Sequence, residues 1–276
     1  MSEEANGIVY EVKGKIAVIT LNLPSKLNAL DAAAYLQLGK YVEQADKEEE
    51  TVATIIQSTG RFFSAGADFA DKKTISRDAA ELFSHEHWLA GFVARNTWLT
   101  NVFNDHSKIL VAAANGPVIG LSAALLLLCD LIYVNDLSKF YLLTPFANLG
   151  LVTEGATSIT LTRRLGWSKA SEALLLAKKI PGEDCEQNGL INKHFTGQSK
   201  STEDFNKAVF ELLQDSTESL HEDSIFGIKK LMKLGRDPAV NHANSQEVVR
   251  GFNKWIEGVP QMRFAQLANK ERKHKM

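Results

Sequence analysis

The chain has 276 residues, 31 Lys and Arg against 33 Asp and Glu, a formal net charge of −2 and a hydrophobic fraction of 45%. Such totals describe an ordinary soluble globular protein with enough apolar residues for a sizeable core. They exclude a dedicated nucleic-acid surface, which draws on clustered Lys and Arg. Cys129 and Cys185 are too few for a disulfide framework and lack metal-site spacing, which points to a reducing compartment.

In chain order, Ile8 to Val12 and Ile16 to Leu21 are β-rich around Gly14 and predict a hairpin. Asp31 then caps a helical stretch, "AAAYLQLGKYVEQA". Val52 to Gln57 predicts a buried strand, and "STGRFFSAGADFADKK" a glycine-containing loop. Residues 78–104 carry apolar positions at helical spacing, including Leu82, Leu89, Phe92, Val93 and Leu99. Ile109 to Ala114 predicts another buried strand, and a helix follows from near Gly120 to Leu128. The apolar run Val111–Val134 is broken by Asn115-Gly116-Pro117 and Gly120 and charged by Asp130, so neither piece reaches the ~20 residues a spanning helix needs. Leu131 to Val134 and Phe140 to Leu143 predict strands. Beyond residue 156 the β signal largely stops and amphipathic helical stretches remain, such as "TEDFNKAVFELLQD" and "DSIFGIKKLMKLGR". Alternating strands and helices signal an α/β core, followed by a helical C-terminal region.

Three segments carry possible chemistry. "FSAGADF", Phe63 to Phe69, is either a tight strand-to-helix turn or a loop whose exposed N–H groups bind a developing oxyanion. "NGPVIGLSAALLLLCD" feeds the start of an apolar helix, where the Leu121 N–H either merely opens the helix or points at an anion. "NLGLVTEGATS" holds a lone carboxylate, Glu154. One reading is a solvated Glu at a helix start, stabilised by the dipole. The other is a base in an apolar cleft, its pKa raised by burial, with Thr153 and Asn148 as polar neighbours.

Taken together, in order and spacing, "PSKLNALD", "FSAGADF", "NGPVIGL" and "TPFANLGLVTEGATS" resemble the crotonase (enoyl-CoA hydratase/isomerase) superfamily, and within it the fungal peroxisomal isomerase branch. The resemblance covers most of the chain. It implies a crotonase-like spiral of repeated ββα units over residues 1–195 and a helical trimerisation region over 196–276. It implies an acyl-CoA thioester whose carbonyl oxygen sits between the N–H groups of Ala67 and Leu121. The family usually has Gly where Leu121 stands. Ala65, Gly66, Asp68 and Phe69 would line the CoA path, and Ser25 to Leu30 would touch its nucleotide end. Hydratases of the family place two glutamates around a water; the corresponding residues here are Ala124 and Phe146, neither able to activate water. Glu154 matches the carboxylate of the isomerase branch.

The reaction so implied moves the double bond of a cis- or trans-3-enoyl-CoA to give trans-2-enoyl-CoA, with Glu154 carrying a proton from C2 to C4. Asn96, in "FVARNTW", is either a surface residue or one that orients Glu154. No cofactor or metal is called for, CoA being part of the substrate. The rival enzyme reading is a Δ3,5-Δ2,4-dienoyl-CoA isomerase, for which Asp68 and Asp105 are the nearby second acids. A rival of another class is a non-catalytic acyl-CoA-binding subunit. The implied assembly is a homotrimer or a dimer of trimers. The ending "NKERKHKM" is either a solvated basic helix end or, at His274-Lys275-Met276, a variant peroxisomal address read by an import receptor. Lys72, Lys73 and basic residues near the terminus are the candidates to meet CoA phosphates.

Overall fold

In a computed structural model of the chain, the described residues are 2–68, 83–269 and 271. Phe69, Lys72, Lys73 and the ending His274-Lys275-Met276 lie outside them. Ten strands are described: β1 (Ser2–Ala5), β2 (Ile8–Lys13), β3 (Ile16–Leu21), β4 (Ala53–Ser58), β5 (Ile109–Ala114), β6 (Val118–Ile119), β7 (Leu131–Val134), β8 (Tyr141–Leu143), β9 (Ile180–Pro181) and β10 (Lys193–His194). The helices are α1 (Ala32–Lys47), α2 (His85–Trp88), α3 (Arg95–Asp105), α4 (Gly120–Leu126), α5 (Thr157–Leu175), α6 (Gly182–Gln187), α7 (Thr202–Thr217), α8 (Glu222–Leu234), α9 (Asp237–Ile256) and α10 (Val259–Ala268).

The strands form two sheets. A seven-stranded sheet runs β1-β2-β3-β4-β5-β7-β10, and a three-stranded one runs β6-β8-β9. From β3 to β10 every neighbour in the large sheet is parallel. A parallel neighbour demands a crossover. Two of those crossovers pass through the small sheet: β5 leads to β6 and α4 before β7, and β7 leads to β8 before β10. The chain therefore winds as a spiral, as the resemblance implies.

The large sheet is covered on both faces. On one side Ile19, Leu21, Ile56, Leu110 and Ala112 pack with α1, α3 and α4. On the other Val18, Ile55, Val111 and Ala113 pack with Phe205, Val209 and Leu213 of α7. Burial on both faces explains why β5 reads as an unbroken apolar run.

The hairpin expected at Ile8 to Leu21 is β2 paired antiparallel with β3. Asp31 caps α1, its side chain accepting from the Ala34 N–H at 2.8 Å. Three expectations are corrected. The helix expected over 78–104 is interrupted where described: a π-helical turn, Leu89–Ala94, separates α2 from α3, and residues 78–82 lie outside the described part. The helix from Gly120 ends at Leu126 rather than Leu128. Strands do occur beyond residue 156, as β9 and β10. Each is two residues long, too short to show a period.

A second ladder of single bridges continues the small sheet. Ser64 pairs with Val118, and Leu30 with Ala67. The loop before α1 is locked to it by Asn28, which is fully buried and has φ 53°. Its Oδ1 accepts from the Leu23 N–H at 2.8 Å, and its Nδ2 donates to the Thr59 and Phe62 carbonyls at 2.8 and 2.9 Å. Asn tolerates the left-handed backbone better than most residues. We expect Asn28→Ala to lose about 2–4 kcal/mol of stability in urea unfolding, because it leaves the Leu23 N–H and the Thr59 carbonyl without their partner, whereas the Phe62 carbonyl keeps the Ser58 hydroxyl at 3.0 Å.

Candidate active site

The first segment is held as a rung of the ladder. The Leu30 N–H donates to the Gly66 carbonyl at 2.8 Å, and the Asp68 N–H to the Leu30 carbonyl at 2.9 Å. In a parallel pairing of this kind the residue between, Ala67, turns its own N–H away from the partner. No hydrogen bond from that N–H is made among the described residues. Gly66 has φ +87°, and a Cβ there would stand 2.8 Å from the Ile119 carbonyl oxygen. No other residue lets the two loops approach this closely. Ala65 donates its N–H to the Leu27 carbonyl at 2.9 Å.

The second segment follows directly. β6 runs into α4, so Leu121 lies in the first turn, where N–H groups have no helical partner. Ser64 of the first segment and Ser122 of the second share a hydrogen bond of 2.8 Å, and Ser122 shares another of 3.0 Å with the Tyr35 hydroxyl. This buried hydroxyl chain ties the two amide-bearing loops at a fixed spacing. The side chain at 121 plays no part in presenting its N–H, so Leu in place of Gly leaves the backbone donor intact.

Glu154 lies on the third segment, three residues before α5 rather than within its first turn. Its residue is 9% exposed, so it is no solvated helix-start Glu. Gly155 and Ala156 both take left-handed backbone, φ 65° and 60°, and reverse the chain between Glu154 and α5. A Cβ on Gly155 would stand 2.7 Å from the Ala124 Cβ and 3.5 Å from Leu121 Cδ1. The three segments are thus contiguous: 66 against 119–120, and 155 against 121 and 124. Ala124 is fully buried in that contact, which leaves a larger side chain no room. Phe146 packs with Trp88, Leu149, Leu151 and Trp255 in an aromatic cluster, with Trp88 and Trp255 stacked at 4.1 Å between ring centroids.

Asn96 is fully buried, not a surface residue. Its Nδ2 donates to Glu154 Oε2 at 3.1 Å, while its Oδ1 accepts from Nε and a terminal nitrogen of Arg95, both at 3.1 Å. The guanidinium therefore fixes which end of the amide faces the carboxylate. Burial raises the Glu154 pKa to about 7; the Arg95 charge lowers it, the Glu247 charge raises it, and the Asn96 hydrogen bond lowers it. Removal from water dominates, as it does for carboxyls in apolar pockets.

Other expected residues stand apart. Asp68 pairs with Lys26 at 2.9 Å, and Lys26 belongs to the Ser25 to Leu30 segment. Asp105 is exposed at the end of α3 and accepts from Asn104. Thr153 adjoins Glu154 in the chain and also lies near Glu247. Sequence reasoning missed Arg95 and Glu247. Glu247 carried a signal: it falls on the buried stripe of α9 with Val240, Asn244, Val248, Gly251 and Trp255, where a carboxylate is out of place.

Comparison with known proteins places this geometry. The family model "Enoyl-CoA hydratase/isomerase" matches residues 11–233. A 3,2-trans-enoyl-CoA isomerase of Saccharomyces cerevisiae is 43% identical over 98% of this chain and 96% of its own. A Delta(3,5)-Delta(2,4)-dienoyl-CoA isomerase of Pyricularia oryzae is 40% identical over 96% of this chain and 98% of its own. A mouse protein named enoyl-CoA delta isomerase 3, peroxisomal, is 30% identical over 73% of this chain and 61% of its own. Among solved structures, an enoyl-CoA hydratase/isomerase of Pseudoalteromonas atlantica superposes with a TM-score of 0.79 at 21% identity, covering 98% of this chain and 100% of its own, a likeness of fold. A spiral sheet, two contiguous amide-bearing loops and a match spanning most of the sequence lead to one conclusion: the chain belongs to the enoyl-CoA hydratase/isomerase family.

Proposed function

We propose that the protein is an isomerase that converts 3-enoyl-CoA to trans-2-enoyl-CoA in the breakdown of unsaturated fatty acids. The observation that carries the reading is Glu154: a buried carboxyl, beside the Leu121 loop, in a site where both hydratase carboxylate positions are Ala124 and Phe146. The yeast relative's name supports the same activity.

The Glu154 carboxylate takes a proton from C2 of the acyl chain. The electrons of that C–H bond form a C1–C2 double bond conjugated with C3–C4, and negative charge gathers on the thioester oxygen. The Ala67 and Leu121 N–H groups receive that charge, each well-aimed donor contributing about 3–4 kcal/mol. Protonated Glu154 returns its proton to C4, and the C2–C3 double bond closes as the oxygen gives up its charge. Nothing is oxidised or consumed, so the step balances without a cofactor. A pKa near 7 keeps the carboxyl able both to take and to return a proton at neutral pH. Asn96 and Arg95 hold the carboxylate in place throughout.

A dienoyl-CoA isomerase is the second reading, favoured by the Pyricularia relative. It calls for another acid across the pocket, and Asp68 is paired with Lys26 while Asp105 is exposed. A non-catalytic acyl-CoA-binding subunit would have no use for a buried Glu154. We further propose a homotrimer, or a dimer of trimers, assembled through the region from residue 196 onward. Ile228, Leu231, Met232 and Leu234 expose an apolar row on α8 that supports this. The mouse relative's name supports a peroxisomal location.

With 3-hexenoyl-CoA as substrate, we expect absorbance of a conjugated enoyl thioester to appear, and a 3,5-dienoyl-CoA to turn over far more slowly. Glu154→Gln should lower the rate about 10²–10⁴-fold with acyl-CoA affinity retained. Near-normal turnover in that variant would remove Glu154 from its role. In the wild type, kcat/KM should climb with pH and level off above about 7, since the base must be ionised.

The same shift governs stability. A carboxyl whose folded pKa lies above its unfolded value of 4.5 holds its proton more tightly when folded. Stability therefore falls as pH rises between the two values. Glu154→Gln should accordingly be more stable than wild type at pH 8, by about 3 kcal/mol, with the gap closing below pH ~5. Equal urea midpoints at both pH values would contradict it. A fluorescent N-terminal fusion should enter peroxisomes and become cytosolic when residues are appended after Met276; unchanged localisation would count against the terminal address.

A further inference from the structure

Glu247, on α9, takes no part in the proton transfer above, yet it is 4% exposed and commits both oxygens to the loop that carries Glu154. Its Oε2 accepts from the Ala156 N–H at 2.7 Å, and its Oε1 from the Ser158 N–H at 2.9 Å. Thr153, next to Glu154 in the chain, lies near Glu247 as well. Those three residues flank Glu154 on both sides. The start of α5 needs such help: its N-cap is Ala156, in left-handed backbone, with no side-chain oxygen to satisfy the first N–H groups. A carboxylate from 91 residues away in sequence supplies the cap.

We infer that Glu247 is a positioning residue: by clamping the main chain at 156 and 158 it fixes the Glu154 carboxylate over the acyl group and makes proton transfer depend on the docking of α9. The inference rests on the reading of Glu154 as the base. Around Glu154 the clamp is one of several charged or titratable neighbours. Arg95 faces it from α3, Tyr35 from α1 and Glu247 from α9, while α4 contributes none. Glu247 thus acts in two ways, as a mechanical hold and as a like charge opposing the Arg95 cation.

Two substitutions separate these. Glu247→Gln keeps the shape, but its amide NH₂ meets one of the two N–H groups and its charge is gone. With 3-hexenoyl-CoA we expect kcat to fall about 10–100-fold, as displaced catalytic groups do, with KM within about threefold. The acid limb of the pH–rate profile should move down by about one unit, since a like charge has been removed. Glu247→Asp keeps the charge and shortens the reach, so kcat should fall while the acid limb stays in place. A folded Glu247→Gln protein with wild-type kcat and an unmoved acid limb would overturn the inference. Should neither variant fold, Ser158→Pro removes one clamped N–H in a helix turn that tolerates proline, and wild-type kcat there would overturn it equally.

An infrared titration gives a readout that does not need turnover. The carboxyl stretching band that vanishes in Glu154→Gln belongs to Glu154, and its midpoint should drop in Glu247→Gln. If the wild type isomerises nothing, the proposed activity fails. An unmoved band midpoint would then separately reject the inference.

Discussion

A carboxylate kept out of water is the constraint around which the rest of this fold is arranged. An exposed glutamate is a weak base for a carbon acid, and an isolated buried one is costly to ionise. Glu154 lies between these limits because its surroundings oppose one another. Burial and Glu247 favour the neutral acid, whereas Arg95 and the Asn96 amide favour the anion. The balance leaves a group that changes charge near neutrality, which a proton carrier requires.

The spiral makes that balance possible. Each turn returns the chain to the small ladder, so segments far apart in sequence become neighbouring rungs: 30 with 67, and 64 with 118. An N–H presented by the main chain tolerates substitution of its own side chain, so Leu121 keeps its donor without a Gly at that position. The true restrictions fall on neighbours. Gly66 must lack a Cβ because Ile119 crowds it, and Ala124 must stay small because Gly155 rests against it. On the proposed reading the second restriction also disfavours hydration, since a glutamate at 124 would compete with the Glu154 loop for the same volume.

Much of this was legible in the sequence. The hairpin, the buried strands β4 and β5 and the Asp31 cap follow from local pattern. The three chemical segments were each ambiguous alone and became specific through their order. The parts that stayed hidden depend on distant contacts. The π-helical turn at Leu89–Ala94 leaves the apolar spacing nearly helical, so periodicity passes over it. Two-residue strands such as β9 and β10 are held by their neighbours and not by propensity. Asn96 was identifiable as a candidate but not separable from a surface Asn, because burial is decided by packing. Glu247 sat on an apolar helical stripe, and its contact with residues 156 and 158 spans too much chain for any local rule.

That span has a consequence for how the protein comes into being on the ribosome. Strands β1 to β7, the hydroxyl chain and both amide-bearing loops lie within about the first half of the polypeptide. The residue that secures the base arrives only with α9, near the end of translation. On the proposed reading, a nascent chain therefore carries both amide-bearing loops well before the residue that holds its base.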